Sequence, residues 1–231
     1  MPIAVTLLQN NLLFAPLEAE HLQKLADNAE IRSLKRGEFL FHQDGERERF
    51  CLVLAGVMRL VQVTEAGKSI TMHTAIAGEP LAILYALIGE PFSGSAEAVE
   101  DSEIIVLPTP LVWELIATHP VVTRNILKMV AGRLREAHNR IRELSSEDAE
   151  HRIARAVLRL LDKVGAANPN GGIDLDMRLT RQDLAEMSGT TLETVSRTLK
   201  AWERLGIVQC HREKLTVLQM AELGRIVVNG G

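Results

Sequence analysis

Thr180 to Leu205 reads TRQDLAEMSGTTLETVSRTLKAWERL, and the rest of the chain reads as its support. The stretch divides into two short helices. Thr180, with Asp183 three residues on, suits the start of the first, and Ser188-Gly189 ends it. Thr190 or Thr191 starts the second, which runs to about Leu205. Leu192, Val195, Leu199 and Trp202 step by three, four and three residues into one apolar stripe. Glu193, Ser196, Arg197 and Lys200 gather on the opposite side at about 100° per residue. Two helices joined by a short glycine turn, the second carrying polar groups, make a helix-turn-helix.

The chemistry of that polar face suits the major groove. A guanidinium bonds guanine O6 and N7 together, a carboxylate accepts from cytosine N4, and a hydroxyl serves either role. The competing reading is an ordinary amphipathic helix with a solvated face, in which Glu193 closes a capping box with Thr190. The residues after Trp202 favour the first reading. Residues 207–210 and 215–218 are apolar runs flanking His211-Arg212-Glu213-Lys214, a hairpin in the position of a wing. Thr180, Arg181, Thr191 and Lys200 are candidate phosphate contacts, which position a protein without reading bases.

Glu193-x-x-Ser196-Arg197, within TLETVSRTLKAWERLGIV, closely resembles the recognition helix of CRP/FNR transcription regulators of the FNR type. That resemblance implies Arg197 on a guanine, Glu193 on the cytosine of a neighbouring pair, and Ser196 on a thymine. The implied half-site is TTGAT, in an inverted repeat like TTGAT-N4-ATCAA. RNA polymerase is a partner implied by the resemblance alone.

Composition sets the outer bounds. The 231 residues suffice for one large or two modest domains. A hydrophobic content of 46% and a charged content of 24% are ordinary for a globular protein. The net charge of −4 does not advertise nucleic-acid binding, so that reading rests on the motif. Cys51 and Cys210 have no close spacing, which suggests neither a disulfide framework nor a zinc site. No basic residue precedes Lys24, unlike a secretory signal, and no apolar run is long enough to span a bilayer. A reducing cytoplasm is the expected location.

Upstream, the texture changes twice. Residues 1–35 read as helical, through Leu7, Leu8, Leu12 and Leu13 and then Leu17, Leu22 and Leu25. From Gly37 to Leu107 the chain reads as short strands and turns. Gly45, Gly56, Gly67, Gly78 and Gly89 fall eleven residues apart, with β-type runs at 50–54, 58–63, 70–74 and 103–107. The segments GEFLFHQDGERERFCLVLAGVMRL, GEP and SGSAEAVEDSEIIVLP resemble the β-roll of the cyclic-nucleotide-binding superfamily. Ala66-Gly67-Lys68-Ser69 imitates the end of a phosphate loop but lacks its first glycine and precedes a strand.

Pro108 and Pro110 close this region, Leu111–Thr118 forms a short helix, and Pro120 opens a long one. In it Leu127, Val130, Leu134, Ala137, Ile141 and Leu144 keep a strict heptad step, the period of a two-stranded seam. A parallel homodimer is expected, and the helix resembles the family's dimerisation helix. Ser145–Asp148 reads as a hinge, Met177–Leu179 as a short strand, and Asn229–Gly231 as a loose end.

The effector is the least legible feature. Cyclic-AMP-binding relatives use a Gly-Glu pair and then an Arg-Ser pair on the phosphate. Here Gly78-Glu79 matches the first, but the second reads Gly94-Ser95, without the arginine, so tight cyclic-AMP binding is not expected. Oxygen-sensing relatives carry an N-terminal cysteine cluster, and no cysteine precedes Cys51, so an iron–sulfur cluster is not expected either. The stretch LLQNNLLFAPLEAEHLQKLAD resembles a cysteine-less, nitric-oxide-responsive branch in which heme is suspected. That resemblance makes His21, His42 and His73 candidate ligands.

The expected fold class is α+β: a β-roll sensor with N-terminal helices over 1–118, a dimerisation helix over 119–145, and a winged helix-turn-helix over 146–231. The expected function is a homodimeric, sequence-specific regulator that binds double-stranded DNA, is not an enzyme, and has no membrane partner. The alternative is a ligand-binding module whose C-terminal half contacts a protein.

Overall fold

The computed structural model describes residues 3–9, 11–45, 49–81, 83–169 and 171–228. It divides into two compact units, residues 1–63 with 72–135 and residues 64–71 with 136–231. In the first unit α1 (Ile3–Gln9) and α2 (Ala19–Asp27) precede the strands β1 (Glu30–Leu34), β2 (Phe39–Phe41), β3 (Arg49–Ala55), β4 (Val57–Val63), β5 (Ser69–Ile76) and β6 (Pro80–Leu81). Then come α3 (Ile83–Ile88), β7 (Ser95–Ala98), β8 (Ser102–Pro108), α4 (Thr109–Thr118) and the start of α5 (Pro120–Ser146). The strands form two four-stranded sheets, β1-β8-β3-β6 and β2-β7-β4-β5.

Alternation along β3 and β8 explains why both strands are almost wholly apolar. Phe50 and Leu52, with Ile105 and Leu107, turn to a core shared with the helices. Cys51 and Val53, with Ile104 and Val106, turn to a second core between the sheets. A strand covered on both faces reads as a continuous apolar run. The expected strand runs all appear, and Gly56, Gly67, Gly78 and Gly89 of the eleven-residue series hold positive φ in the turns between elements. Ala66–Lys68 lies at a hairpin turn closed by Thr64 N–H donating to Lys68 O at 2.9 Å, and β5 begins at Ser69.

Two expectations fail in this unit. Residues 1–35 are not helical throughout, because Glu30–Leu34 forms β1 and pairs antiparallel with β8. The reason is that β8 offers a free edge, and pairing outweighs a weak local preference. The all-strand reading of 37–107 also fails, since Ile83–Ile88 coils as α3; a short apolar run does not by itself distinguish strand from buried helix. In the N-terminal stretch Leu8 and Leu13 are buried and Leu12 is exposed, while the side chain of Leu7 lies outside the described residues.

The second unit holds the last turns of α5, α6 (Ala149–Val164), β9 (Gly165–Ala167), β10 (Ile173–Leu175), α7 (Arg181–Ser188), α8 (Leu192–Arg204), β11 (Val208–His211), β12 (Lys214–Val217) and α9 (Met220–Val228). Its sheet runs β11-β12-β10-β9. The break between α5 and α6 is shorter than the expected hinge: Ser145 and Ser146 complete α5, and Asp148 caps α6 by accepting from His151 N–H at 3.0 Å. Met177–Leu179 is not a strand. Its backbone is engaged elsewhere, with Leu179 N–H on Glu213 O at 2.9 Å. The expected loose end, residues 229–231, lies outside the described residues. Among the described residues, no helix is long and apolar enough to cross a membrane.

Gly56 gives the sharpest stability test. Its φ is +83°, and an added Cβ would stand 2.4 Å from Ser102 Oγ and 2.7 Å from Asp101 O. Gly67 has a similar φ of +74° but open space around it. Gly56→Ala should therefore lose about 2–4 kcal/mol and Gly67→Ala about 1–2 kcal/mol, read from urea midpoints. Equal losses would remove the packing contribution assigned to Gly56.

Candidate nucleic-acid interface

The interface is built on the way α7 and α8 start and stop. Thr180 and Asp183 form a reciprocal capping box: Asp183 N–H donates to Thr180 Oγ1 at 3.0 Å, and Thr180 N–H donates to Asp183 Oδ2 at 2.8 Å. Gly189 ends α7 in the left-handed region at φ 61°. Thr191, not Thr190, then caps α8 by accepting from Thr194 N–H at 3.2 Å. With Thr191 as the cap, Glu193 is the second helical residue, and the competing capping box of Thr190 with Glu193 does not form.

Val195, Leu199 and Trp202 are buried against the unit's core, and Trp202 Nε1 donates to Glu150 Oε1 of α6 at 2.8 Å. Leu192 departs from the expected stripe: at 43% exposed it stands in the first turn, ahead of the core contact that begins at Val195. The opposite face is open. Glu193, Arg197 and Lys200 are exposed and Ser196 is half-buried. Bonds from its own backbone N–H and from the Thr191 hydroxyl hold the Glu193 carboxyl below the usual glutamate range. It is thus an ionised acceptor at neutral pH, the form that takes a bond from cytosine N4.

The expected phosphate contacts divide by their present partners. Arg181 and Lys200 are exposed, whereas two hydroxyls are already engaged: that of Thr180 with Asp183 Oδ2 at 2.6 Å, and that of the exposed Thr191 with Thr194 N–H and the Glu193 carboxyl. The wing is fixed beside them. His211 pairs with Lys214 across a turn in which Arg212 holds φ 54°. Cys210 N–H donates to Glu203 Oε1 at 3.0 Å, tying β11 to the end of α8.

In the first unit the expected effector residues sit in different surroundings. Gly78 O accepts from the side chain of Asn11 at 2.7 Å, and the Glu79 carboxylate lies 3.3 Å from His73 Nε2. A Cβ on Gly94 would stand 2.6 Å from Val61 O, and Ser95 Oγ accepts from Gln43 N–H at 2.9 Å. Two register positions along the same strand pair from Ser95, Arg59 of β4 is paired at 2.9 Å with Glu97 of β7. Neither Asn11 nor this ion pair carries any signal in the sequence, because the partners are dozens of residues apart.

The three histidines do not converge. The ring of His21 is edge-on to His119 at 4.3 Å, that of His42 lies over Phe39 at 4.7 Å, and His73 faces Glu79. Each has a different neighbour, so they do not form a pair of axial donors to one heme. Cys51 is buried and its thiol is pushed up to about 12 by desolvation, the reverse of a thiolate ligand. No group of three or more histidine, cysteine or carboxylate side chains suited to a metal occurs among the described residues.

Along α5, Leu127, Leu134, Ala137, Ile141 and Leu144 are exposed. Val130 differs, being half-buried against the helical core of the first unit.

Comparison with known proteins places these features. The cyclic nucleotide-binding domain model matches residues 31–119, and the Crp-like helix-turn-helix domain model matches residues 151–226. The "Cyclic AMP receptor protein" of Thermus thermophilus is 31% identical over 93% of this chain and 95% of its own length. The "Transcriptional activator protein anr" of Pseudomonas aeruginosa is 24% identical over 83% of this chain and 78% of its own length. Among solved structures, a CRP/FNR family regulator from Thermus thermophilus has a TM-score of 0.72 at 25% identity, over 87% of this chain and all of its own. FixK2 from Bradyrhizobium japonicum has a TM-score of 0.76 at 22% identity, over 86% of this chain and 96% of its own, a likeness of fold alone. With both domain models matched in order and a relative 31% identical along nearly its whole length, the chain belongs to the CRP/FNR family of transcription regulators.

Proposed function

We propose that the chain is a cytoplasmic homodimer that reads an inverted repeat like TTGAT-N4-ATCAA, under control of a signal sensed by the first unit. The observation that carries this is the two-sidedness of α8: Val195, Leu199 and Trp202 are buried while Glu193, Arg197 and Lys200 are exposed. Arg197 reads a guanine, Glu193 the cytosine of the neighbouring pair, and Ser196 a thymine methyl or oxygen. Arg181 and Lys200 take phosphates, and Thr180 and Thr191 join them if their hydroxyls leave Asp183 and Glu193. RNA polymerase is the partner expected from the family.

The exposed leucine and isoleucine positions on α5 support the dimer. Leu127, Leu134 and Ile141, spaced by sevens, are 63%, 55% and 62% exposed. A row of that kind is covered when two helices pair, and each partner then holds one reading helix. Symmetry of the pair matches symmetry of the operator, with half-site centres about one helical turn apart. A signal that changes the pairing of α5 shifts the population of forms able to span both half-sites.

Cyclic AMP is not the signal favoured by this chain, although one relative is named for it. No arginine stands beside Ser95, and Arg59 is already neutralised by Glu97. A cyclic phosphate would have to displace that carboxylate.

Three measurements test this reading. Arg197→Ala should lose about 1–3 kcal/mol of discrimination at the half-site guanine, measured against a guanine-substituted duplex at fixed salt. Undiminished discrimination would remove Arg197 from base reading, and equal binding to scrambled DNA by the unmodified protein would favour a protein partner instead. Leu134→Glu should turn the dimer into a monomer by sedimentation and weaken binding to the inverted repeat by about 100-fold or more, with little change in thermal stability. A variant that stays dimeric would place the interface elsewhere. Titration calorimetry with cyclic AMP should show no binding in the micromolar range; micromolar affinity would overturn the reading of Gly94-Ser95 and Arg59.

A further inference from the structure

The last turns of α5 are fastened to the helix-turn-helix by charged contacts that base reading does not use. All the groups concerned lie within the second compact unit. Glu143 is only 4% exposed and accepts from Arg159 of α6 at 2.7 and 2.8 Å, and from Arg140 at 3.3 Å. Glu147, between α5 and α6, accepts from Arg155 at 2.7 and 2.8 Å. Arg152 of α6 closes the set from the other side. It donates to Glu147 O at 2.6 Å, to Ser188 O at 3.0 Å and to Gly189 O at 3.5 Å.

Ser188 and Gly189 are the turn that launches α8. Carbonyls at the end of a helix lack intrahelical partners and carry partial negative charge, so a guanidinium there is well placed. The same turn is touched directly by the seam helix: a Cβ on Gly189 would stand 2.8 Å from Leu144 Cδ2. Leu144 is still 50% exposed, three residues beyond Ile141 on the same seam. A side chain of the proposed dimer seam therefore rests on the turn that aims the reading helix.

We propose that Arg152, Glu143 and Arg159 are positioning residues that make the end of α5 and the α7–α8 turn move as one body, and so make the dimer strict about half-site spacing. The proposal rests on the reading of a dimer gripping two half-sites. Two readers joined by a stiff connection bind strongly only where the span fits, whereas a loose connection tolerates several spans at lower effective concentration. A buried carboxylate held by two guanidiniums has one favourable arrangement and poor alternatives, which makes the joint discrete and not graded. None of the three residues is placed on the reading face, so weakening the joint leaves base recognition intact.

The test uses the full chain and a series of inverted repeats whose spacers are one and two base pairs shorter and longer than N4, each with an intact and a guanine-substituted half-site. The unmodified protein should prefer one spacing by about tenfold or more. In Arg152→Gln and Glu143→Gln that preference should fall to within about threefold, while discrimination at the guanine stays unchanged and Arg159→Lys keeps the wild-type pattern. Circular dichroism and thermal melting establish that each variant is folded, and Glu143→Gln, which preserves volume, carries the test if Arg152→Gln is not. Folded variants as strict about spacing as the wild type would overturn the proposal alone. A wild type indifferent to the guanine would overturn the operator reading, and this proposal with it.

Discussion

Trp202 decides which way α8 faces. It is fully buried, with Val195 and Leu199 on the same side, and its indole N–H is tied to Glu150. Burying side chains of the Val and Leu kind contributes about 1.5–3 kcal/mol each, so rolling α8 to hide its polar face would cost several of these at once. The outward direction of Glu193 and Arg197 is thus a consequence of packing, not of any attraction between those residues and solvent. Caps at both helix starts and the left-handed glycine between them then fix where α8 begins, and with it which residues reach furthest.

Around that helix the second unit is held by polar ties between separate elements. Glu203 holds the wing strand at Cys210, Glu213 O receives the backbone of Leu179 ahead of α7, and Arg152 holds the carbonyls at the end of α7. Each replaces a solvent partner lost on burial, which is why these segments keep one arrangement although few are long helices or strands. The first unit is organised differently. Its two cores share β3 and β8, and the alternation of those strands, not any single contact, divides Phe50 and Leu52 from Cys51 and Val53.

Much of this was legible in the residues because it is local. The capping pair Thr180 and Asp183, the stop at Ser188-Gly189, the polar face of α8, the wing, the eleven-residue glycine step and the heptads of α5 are all patterns within one element or one turn. What escaped reading depends on partners far along the chain. Glu30–Leu34 is a strand only because β8 lies beside it, and Ile31 at 48% exposed shows how little local alternation it had to offer. Ile83–Ile88 offers six apolar or aromatic residues with no period to tell helix from strand. The identity of the capping threonine before α8 turned on a single residue, too fine for sequence preference alone. Glu143 with Arg159, and Arg59 with Glu97, look in sequence like any solvated charges; only the fold brings them together.

The proposal that α8 turns its polar face to the duplex is tested directly by methylation of guanine N7, which lies in the major groove. On a TTGAT-N4-ATCAA duplex the bound protein should protect one guanine in each half-site, the two about one helical turn apart and on opposite strands. Protection confined to one half-site, or unaltered N7 reactivity alongside protection of the minor groove, would contradict the orientation given to Arg197 and Glu193.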